Sequence, residues 1–321
     1  MHTVGDAAED PAREQGPVRP YLDDLPMELW GADETAEPRS DSPRRSWWRA
    51  VLPVAVALAL VGVFVAVLPS LDDTDSGSPG ATLGAGESVP SLASIGDNRL
   101  LRSGTVLEEV RCELPELGSD PERLRAFYDA ELRCLERAWK PALSRAGVEF
   151  APVAVDITDD PATACGELPP SDEATGLYCA EDATIYLPRA RTLEAFGLTQ
   201  EAHIATLAHE YGHHVQHLSG ILDDANAQLN RYPAGSPSDL ELGRRVELQA
   251  NCFAGVFLAS AVGRGSITDE VGDAAVDDFR NWIDSDTHGT SETQRQWAAR
   301  GFRHGDAGDC NTWRAPGEDV R

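Results

Sequence analysis

Lysine is almost missing from this chain: Lys140 is the only one. Positive charge is scarce altogether, with 27 Lys and Arg against 54 Asp and Glu and a net charge of -27. Nucleic acid is thereby excluded as a natural partner, because phosphate contacts need clustered basic side chains. Cysteine is absent before Cys112, and no Cys-x-x-Cys pair occurs anywhere. A cysteine-built zinc site is therefore disfavoured. Internal repeats are lacking too. Long apolar runs number one, Ala50 to Leu68.

That run is about 19 residues long, enough to cross a bilayer as a helix. Pro53 sits in its first turn, where proline is tolerated, and Trp47 and Trp48 suit the interfacial belt. Arg44, Arg45 and Arg49 precede it, and Asp72, Asp73 and Asp75 follow it. The positive-inside rule then puts the N-terminus in the cytoplasm and the large C-terminal part outside. A cleaved signal peptide fits less well, because the charged stretch in front is too long. The expected organisation is a disordered acidic tail over 1–46, a transmembrane helix over 47–71, a flexible linker over 72–99 and one domain over 100–321. The expected location is the cytoplasmic membrane, single-pass, with the domain outside.

All six cysteines follow the apolar run. An even number on one side of a span suggests disulfides in an oxidising compartment. Cys165 with Cys179 is the preferred local pair, Cys112 with Cys134 a second, and Cys252 with Cys310 the remainder.

Within the domain, Asp120 and Pro121 read as an N-cap and first position, opening a helix to about Trp139. Val153 to Ile157 and Ala183 to Leu187 read as strands, with Cys165 to Cys179 as a loop between them. Helices are expected at Thr192 to Phe196, Thr199 to Ser219, Leu240 to Val262, Asp269 to Asp284 and Ser291 to Gly301, with a polar connection from Asn226 to Asp239. The fold class is α+β, mostly helical with a small sheet.

The stretch with chemistry in it is His209-Glu210-Tyr211-Gly212-His213-His214. Residues four apart on a helix lie one above the other, so His209 and His213 can offer two imidazoles to one zinc ion. Glu210 lies close enough to serve a metal-activated water as general base. Ile204, Leu207, Ala208, Tyr211, Val215 and Leu218 form the opposite, apolar side. A catalytic zinc keeps three protein ligands. Gln216 and Ser219 stand where one class of zinc hydrolase carries its third histidine, which excludes that class. Glu247 on the following long helix is the best third ligand. Manganese or cobalt could occupy the same set.

Further motifs follow in order: Tyr178-Cys179-Ala180-Glu181-Asp182, Glu247-Leu248-Gln249-Ala250-Asn251-Cys252-Phe253-Ala254-Gly255, His288-Gly289-Thr290-Ser291-Glu292 and Cys310-Asn311-Thr312. With the histidine helix, these residues resemble the bacterial neutral zinc metallopeptidase family over roughly Cys112 to Trp313. The resemblance implies a zincin-like domain, zinc as cofactor, His209, His213 and Glu247 as ligands, and Glu210 as base. Asn251 departs from the aspartate usual in that family, where a carboxylate would orient a ligand histidine.

The expected activity is hydrolysis of peptide bonds in a peptide or protein substrate outside the membrane. His288, on a glycine-flanked loop, is the candidate oxyanion donor, ahead of Tyr211. Ala183 to Leu187 is the candidate edge strand for an extended substrate. His203 and His304 read as surface residues; His214 and His217 flank the site face and read as solvated, with support of the site from behind as the alternative. Two other readings stand beside this one: a zinc-bound scaffold module of the cell envelope, and a cell-wall amide hydrolase.

Overall fold

The computed structural model describes residues 91–171 and 173–321. The expected tail, the expected transmembrane helix over 47–71 and the linker as far as residue 90 lie outside the described residues. Among the described residues, no helix is long and apolar enough to cross a membrane.

Folded structure begins earlier than Leu100. Ser91 caps a short helix, α1 (Leu92–Ile95), and Ile95 is fully buried. Asn98 Nδ2 donates to the Ser219 carbonyl at 2.9 Å, and Asn311 Nδ2 donates to that of Gly96 at 2.8 Å. Residues 91–99 therefore belong to the domain rather than to a linker. Their composition of small polar residues hid the apolar anchors Leu92 and Ile95.

Helix α2 (Pro121–Arg145) starts as its sequence predicts, with the Asp120 side chain accepting from Arg123 N at 3.0 Å. It runs past Trp139 and through Pro141. A proline there forfeits one backbone bond, while Ala142 and Leu143 just beyond it are fully buried. The sheet has three short strands, β1 (Ala154–Asp156), β2 (Leu177–Cys179) and β3 (Thr184–Tyr186), in the order β1-β3-β2. β1 pairs with β3 in parallel, Val155 opposite Ile185, and β2 pairs with β3 antiparallel, Tyr178 opposite Ile185. The expected edge strand, Ala183 to Leu187, is thus the central one. The missed strand β2, inside the stretch read as loop, takes one edge and β1 the other.

Six helices follow: α3 (Arg189–Phe196), α4 (Gln200–Leu218), α5 (Ile221–Leu229), α6 (Pro237–Ala261), α7 (Asp269–Asp278) and α8 (Ser291–His304). α5 occupies part of the expected polar connection, because Ile221, Leu222, Ala225 and Leu229 bury one face of it. α7 gives way after Asp278 to a 3-10 turn, Phe279–Asn281, short of the expected Asp284.

Helices α4, α6 and α8 form the centre. α4 is buried on every side from Ala202 to Gln216, not on one face alone. The three helices approach to backbone contact through glycines. A Cβ at Gly212 on α4 would lie 2.9 Å from the Ala250 carbonyl of α6. One at Gly255 would collide with the Ala298 carbonyl, and one at Gly301 with that of Cys252.

All three expected disulfides are present: Cys112–Cys134, Cys165–Cys179 and Cys252–Cys310. The first holds the segment before α2 to that helix, the second staples a loop to β2, and the third fixes the 3-10 turn Ala307–Cys310 to α6. Cross-links of this kind stabilise a fold by about 2–4 kcal/mol each.

Candidate metal centre

Backbone contact at Gly212 and Ala250 sets α4 against α6, and that contact brings the histidine pair to Glu247. His209 Nε2 and His213 Nε2 lie 3.1 Å apart. Glu247 Oε2 lies 3.4 Å from the first and 3.3 Å from the second. All three side chains are buried. Ligand atoms held about 2.0–2.1 Å from a tetrahedral zinc lie about 3.3 Å from one another. The triangle therefore has the dimensions of three zinc ligands. Its chemistry agrees, since two imidazole nitrogens and a carboxylate oxygen are zinc donors. Glu247 Oε1 is buried without a hydrogen-bond partner.

The far nitrogens of both rings are engaged. His209 Nδ1 donates to Asn251 Oδ1 at 2.7 Å, and His213 Nδ1 donates to Gln216 Oε1 at 2.8 Å. Each bond turns the Nε2 lone pair of its ring into the triangle. Asparagine at 251 thus reaches His209 through its carbonyl, while its Nδ2 has no partner.

Burial and the facing carboxylates set the electrostatics of the cluster. Burial lowers His209 to about 4 against the pull of Glu247. Burial also opposes charge on His213, yet Glu247 and Glu210 raise it to about 9. Glu247 is held well below the usual carboxylate range despite its burial, chiefly by His213 and His288. Glu210 goes the other way: burial raises it to about 7, against His213 and a Tyr178 backbone N–H. Gly176 leaves room for it, since a Cβ there would sit 2.6 Å from Glu210 Oε1.

The cluster opens into a cleft of about 460 Å³. Its floor is one face of α4: Ala202, Thr206, His209, Glu210 and His213. One wall is the stretch Glu173 to Gly176 leading into β2, and another is Trp282, Ile283 and His288.

His288 does reach the site, with Nε2 3.5 Å from Glu247 Oε2. Its loop is closed by paired backbone bonds between Ser285 and Gly289, and Arg244 Nη1 donates to the Asp286 carbonyl. Ser285 Oγ and Thr287 Oγ1 lie 3.0 Å from His288 Nδ1. With one of these hydroxyls donating to Nδ1, Nε2 carries the ring hydrogen and faces the cleft as a donor. Tyr211 is fully buried in the core, away from the cleft.

Three residues were misjudged or missed from sequence. His203 is fully buried, hydrogen-bonded to Tyr128 OH at 2.6 Å and to the Gly197 carbonyl at 3.1 Å. His214 is buried between Tyr178 OH and the Ala151 carbonyl, and burial lowers it to about 4. Both lie on the faces of α4 turned away from the cleft and packed against other elements, so neither is a surface residue. Trp282 stacks edge-on against His209, ring centroids 5.0 Å apart, and no motif announced it.

A family model described as "Putative neutral zinc metallopeptidase" matches residues 115–313. The "Uncharacterized protein YpfJ" of Escherichia coli (strain K12) is 35% identical over 158 residues, covering 42% of this chain and 53% of that protein. The "Uncharacterized protein Rv2575" of Mycobacterium tuberculosis is 34% identical over 182 residues, covering 48% of this chain and 59% of the relative. The chain spans little more than half the length of these curated relatives. No solved structure matches it.

Proposed function

The chain belongs to this neutral zinc metallopeptidase family, and from that premise we propose that it hydrolyses peptide bonds with zinc held by His209, His213 and Glu247. The observation that carries the reading is the triangle of 3.1, 3.3 and 3.4 Å opening into a cleft beside a buried glutamate. When bound, zinc supplies Lewis-acid polarisation of the scissile carbonyl and lowers the pKa of water toward neutrality.

The protein residues do the rest. Glu210, raised to about 7 by burial, takes a proton from the attacking water and returns it to the leaving amine. His288 Nε2–H donates to the carbonyl oxygen as negative charge develops on it. Trp282 covers one side of His209 and keeps water from that ring. An extended substrate lies along the free edge of β2 and the Glu173 to Gly176 wall, gaining backbone bonds there.

The domain works outside the cytoplasmic membrane, anchored through residues 47–71. The arginines before the apolar run and the acids after it support this orientation, and three disulfides support an oxidising compartment. Reporter fusions on either side of residues 47–71 test the topology; an external N-terminus would reverse it.

The activity is tested by metal content first. Near-stoichiometric zinc in the purified chain, lost in His213→Ala, is the expected result. Metal-free folded protein would sink the proposal. Turnover of unfolded protein by the wild type, abolished in Glu210→Gln, then establishes peptidase activity. Turnover of cell-wall fragments alone would redirect the same chemistry to a wall amide.

A further inference from the structure

We propose that Gln249 is a positioning residue: through Gln216 it fixes the ring of His213 in the orientation a metal requires, and its own direction is set by a carbonyl held by the Cys252–Cys310 disulfide. The inference rests on the metal centre proposed above and adds to it a second set of residues.

Gln216 and Gln249 are both fully buried. A side-chain amide has one donor end and one acceptor end, and its direction is settled only by neighbours with a single role. Such neighbours stand along the whole path. The Cys310 carbonyl can only accept, and Gln249 Nε2 donates to it at 3.0 Å. Gln249 Oε1 must then face the other way, where the Trp313 indole N–H, which can only donate, approaches at 3.4 Å. Gln216 Nε2 donates to that same oxygen at 3.0 Å and to the Val246 carbonyl at 2.9 Å. Gln216 Oε1 is left to accept from His213 Nδ1 at 2.8 Å. The ring hydrogen is thereby placed on Nδ1, and Nε2 is turned to the metal position. Reversing either amide would set N–H against N–H or oxygen against oxygen.

The far end of the path is fastened to α6 itself. Cys252, less than one turn beyond Gln249, bonds Cys310. Thr312 Oγ1 donates to the Arg245 carbonyl at 2.7 Å, and the Arg245 guanidinium donates to the Thr312 and Ala315 carbonyls. Residues 310–315 form a strap along the helix that supplies Glu247. Gln249, Cys252, Cys310, Thr312 and Trp313, which have no role in the chemistry, acquire one together.

The test is zinc affinity of the full chain by chelator competition, for wild type, Gln249→Met, Gln216→Met and the double variant. Each single change is expected to weaken zinc about 10–100-fold, as losses of orienting partners do. The double variant is expected to be little worse than Gln216→Met, because the two act in series. Loss that multiplies in the double variant, or wild-type affinity in either single variant, overturns the proposal. In the ¹H–¹⁵N spectrum of the zinc-loaded wild type, a slowly exchanging hydrogen on His213 Nδ1 is expected, and faster exchange in Gln249→Met. An exchange rate unchanged by the substitution overturns it as well, since general destabilisation alone does not single out that hydrogen. If Gln249→Met fails to fold, Cys252→Ala with Cys310→Ala keeps both amides and frees the strap. It is expected to weaken zinc in the same direction, and unchanged affinity there is contrary evidence. A wild type that binds no zinc defeats the metal centre; a wild type that binds it as well as every variant defeats only the relay.

Discussion

Two glutamates in this molecule are equally buried and opposite in character. Glu247 on α6 is 1% exposed and Glu131 on α2 is 0% exposed. Glu247 faces His209, His213 and His288, and its carboxylate is held ionised against burial. Glu131 has no hydrogen-bond partner on either oxygen, and burial alone raises it well above its ordinary value. Burial by itself therefore makes neither a site nor a charge. What distinguishes Glu247 is three imidazoles converging on one of its oxygens. Glu210 lies between the two extremes, near 7, which suits the proton-transfer role proposed for it.

The sharpest way to break the contrast is to remove the ligand. Glu247→Ala is expected to lose bound zinc altogether, read as metal content after dialysis, with a larger effect than any change to an orienting partner. Glu210→Gln is expected to keep zinc and lose peptidase activity by about 10²–10⁴-fold, the range of general-base catalysis. Zinc lost along with activity would mean that Glu210 is holding metal rather than moving protons. Asn251→Asp is expected to tighten zinc by up to about 10-fold, because a carboxylate makes a stronger acceptor for His209 Nδ1. Weaker binding there would show that added negative charge beside Glu247 outweighs the better hydrogen bond.

The smallest effect concerns Glu131. Its folded pKa is raised, so the stability tied to its protonated form is present below the ordinary value of 4.5 and is lost as pH rises toward the folded value. Glu131→Met removes that loss and the unpartnered carboxyl. It is expected to stabilise the fold by about 1–3 kcal/mol near pH 8 and by less near pH 4.5. Thermal unfolding at both pH values checks it. Equal gains at the two would mean that Glu131 does not titrate on unfolding.

Legibility from sequence followed the range over which each cause acts. The histidine spacing, the Asp120 cap and the glycine ends are local, so most helices and the pair His209 and His213 were readable, while α1 and α5 were missed. Glu247 and His288 needed the motif order, and the structure brings both to the pair. Glu131 was readable and overlooked: Leu124, Phe127, Tyr128, Glu131 and Leu135 share one helical stripe. His203 and His214 were misread because periodicity records apolar faces, while their helix is also covered by hydrogen-bonded polar groups. β2 is buried at all three of its residues and so shows no alternation, and that cost the identity of the edge strand. Trp282 meets His209 only through the tertiary fold.

The glycine contacts between α4, α6 and α8 also bear on how the molecule breathes. Backbones in direct contact leave no room for one of these helices to part from the others by small steps. Their amides are expected to exchange hydrogen with solvent only through global unfolding, as the last to be labelled. The wall from Glu173 to Gly176 hangs instead on three-residue strands and one staple, Cys165–Cys179. Its amides should label first, by local opening. Motion at the mouth of the cleft then belongs to that wall, and the donor triangle keeps its dimensions while the wall moves.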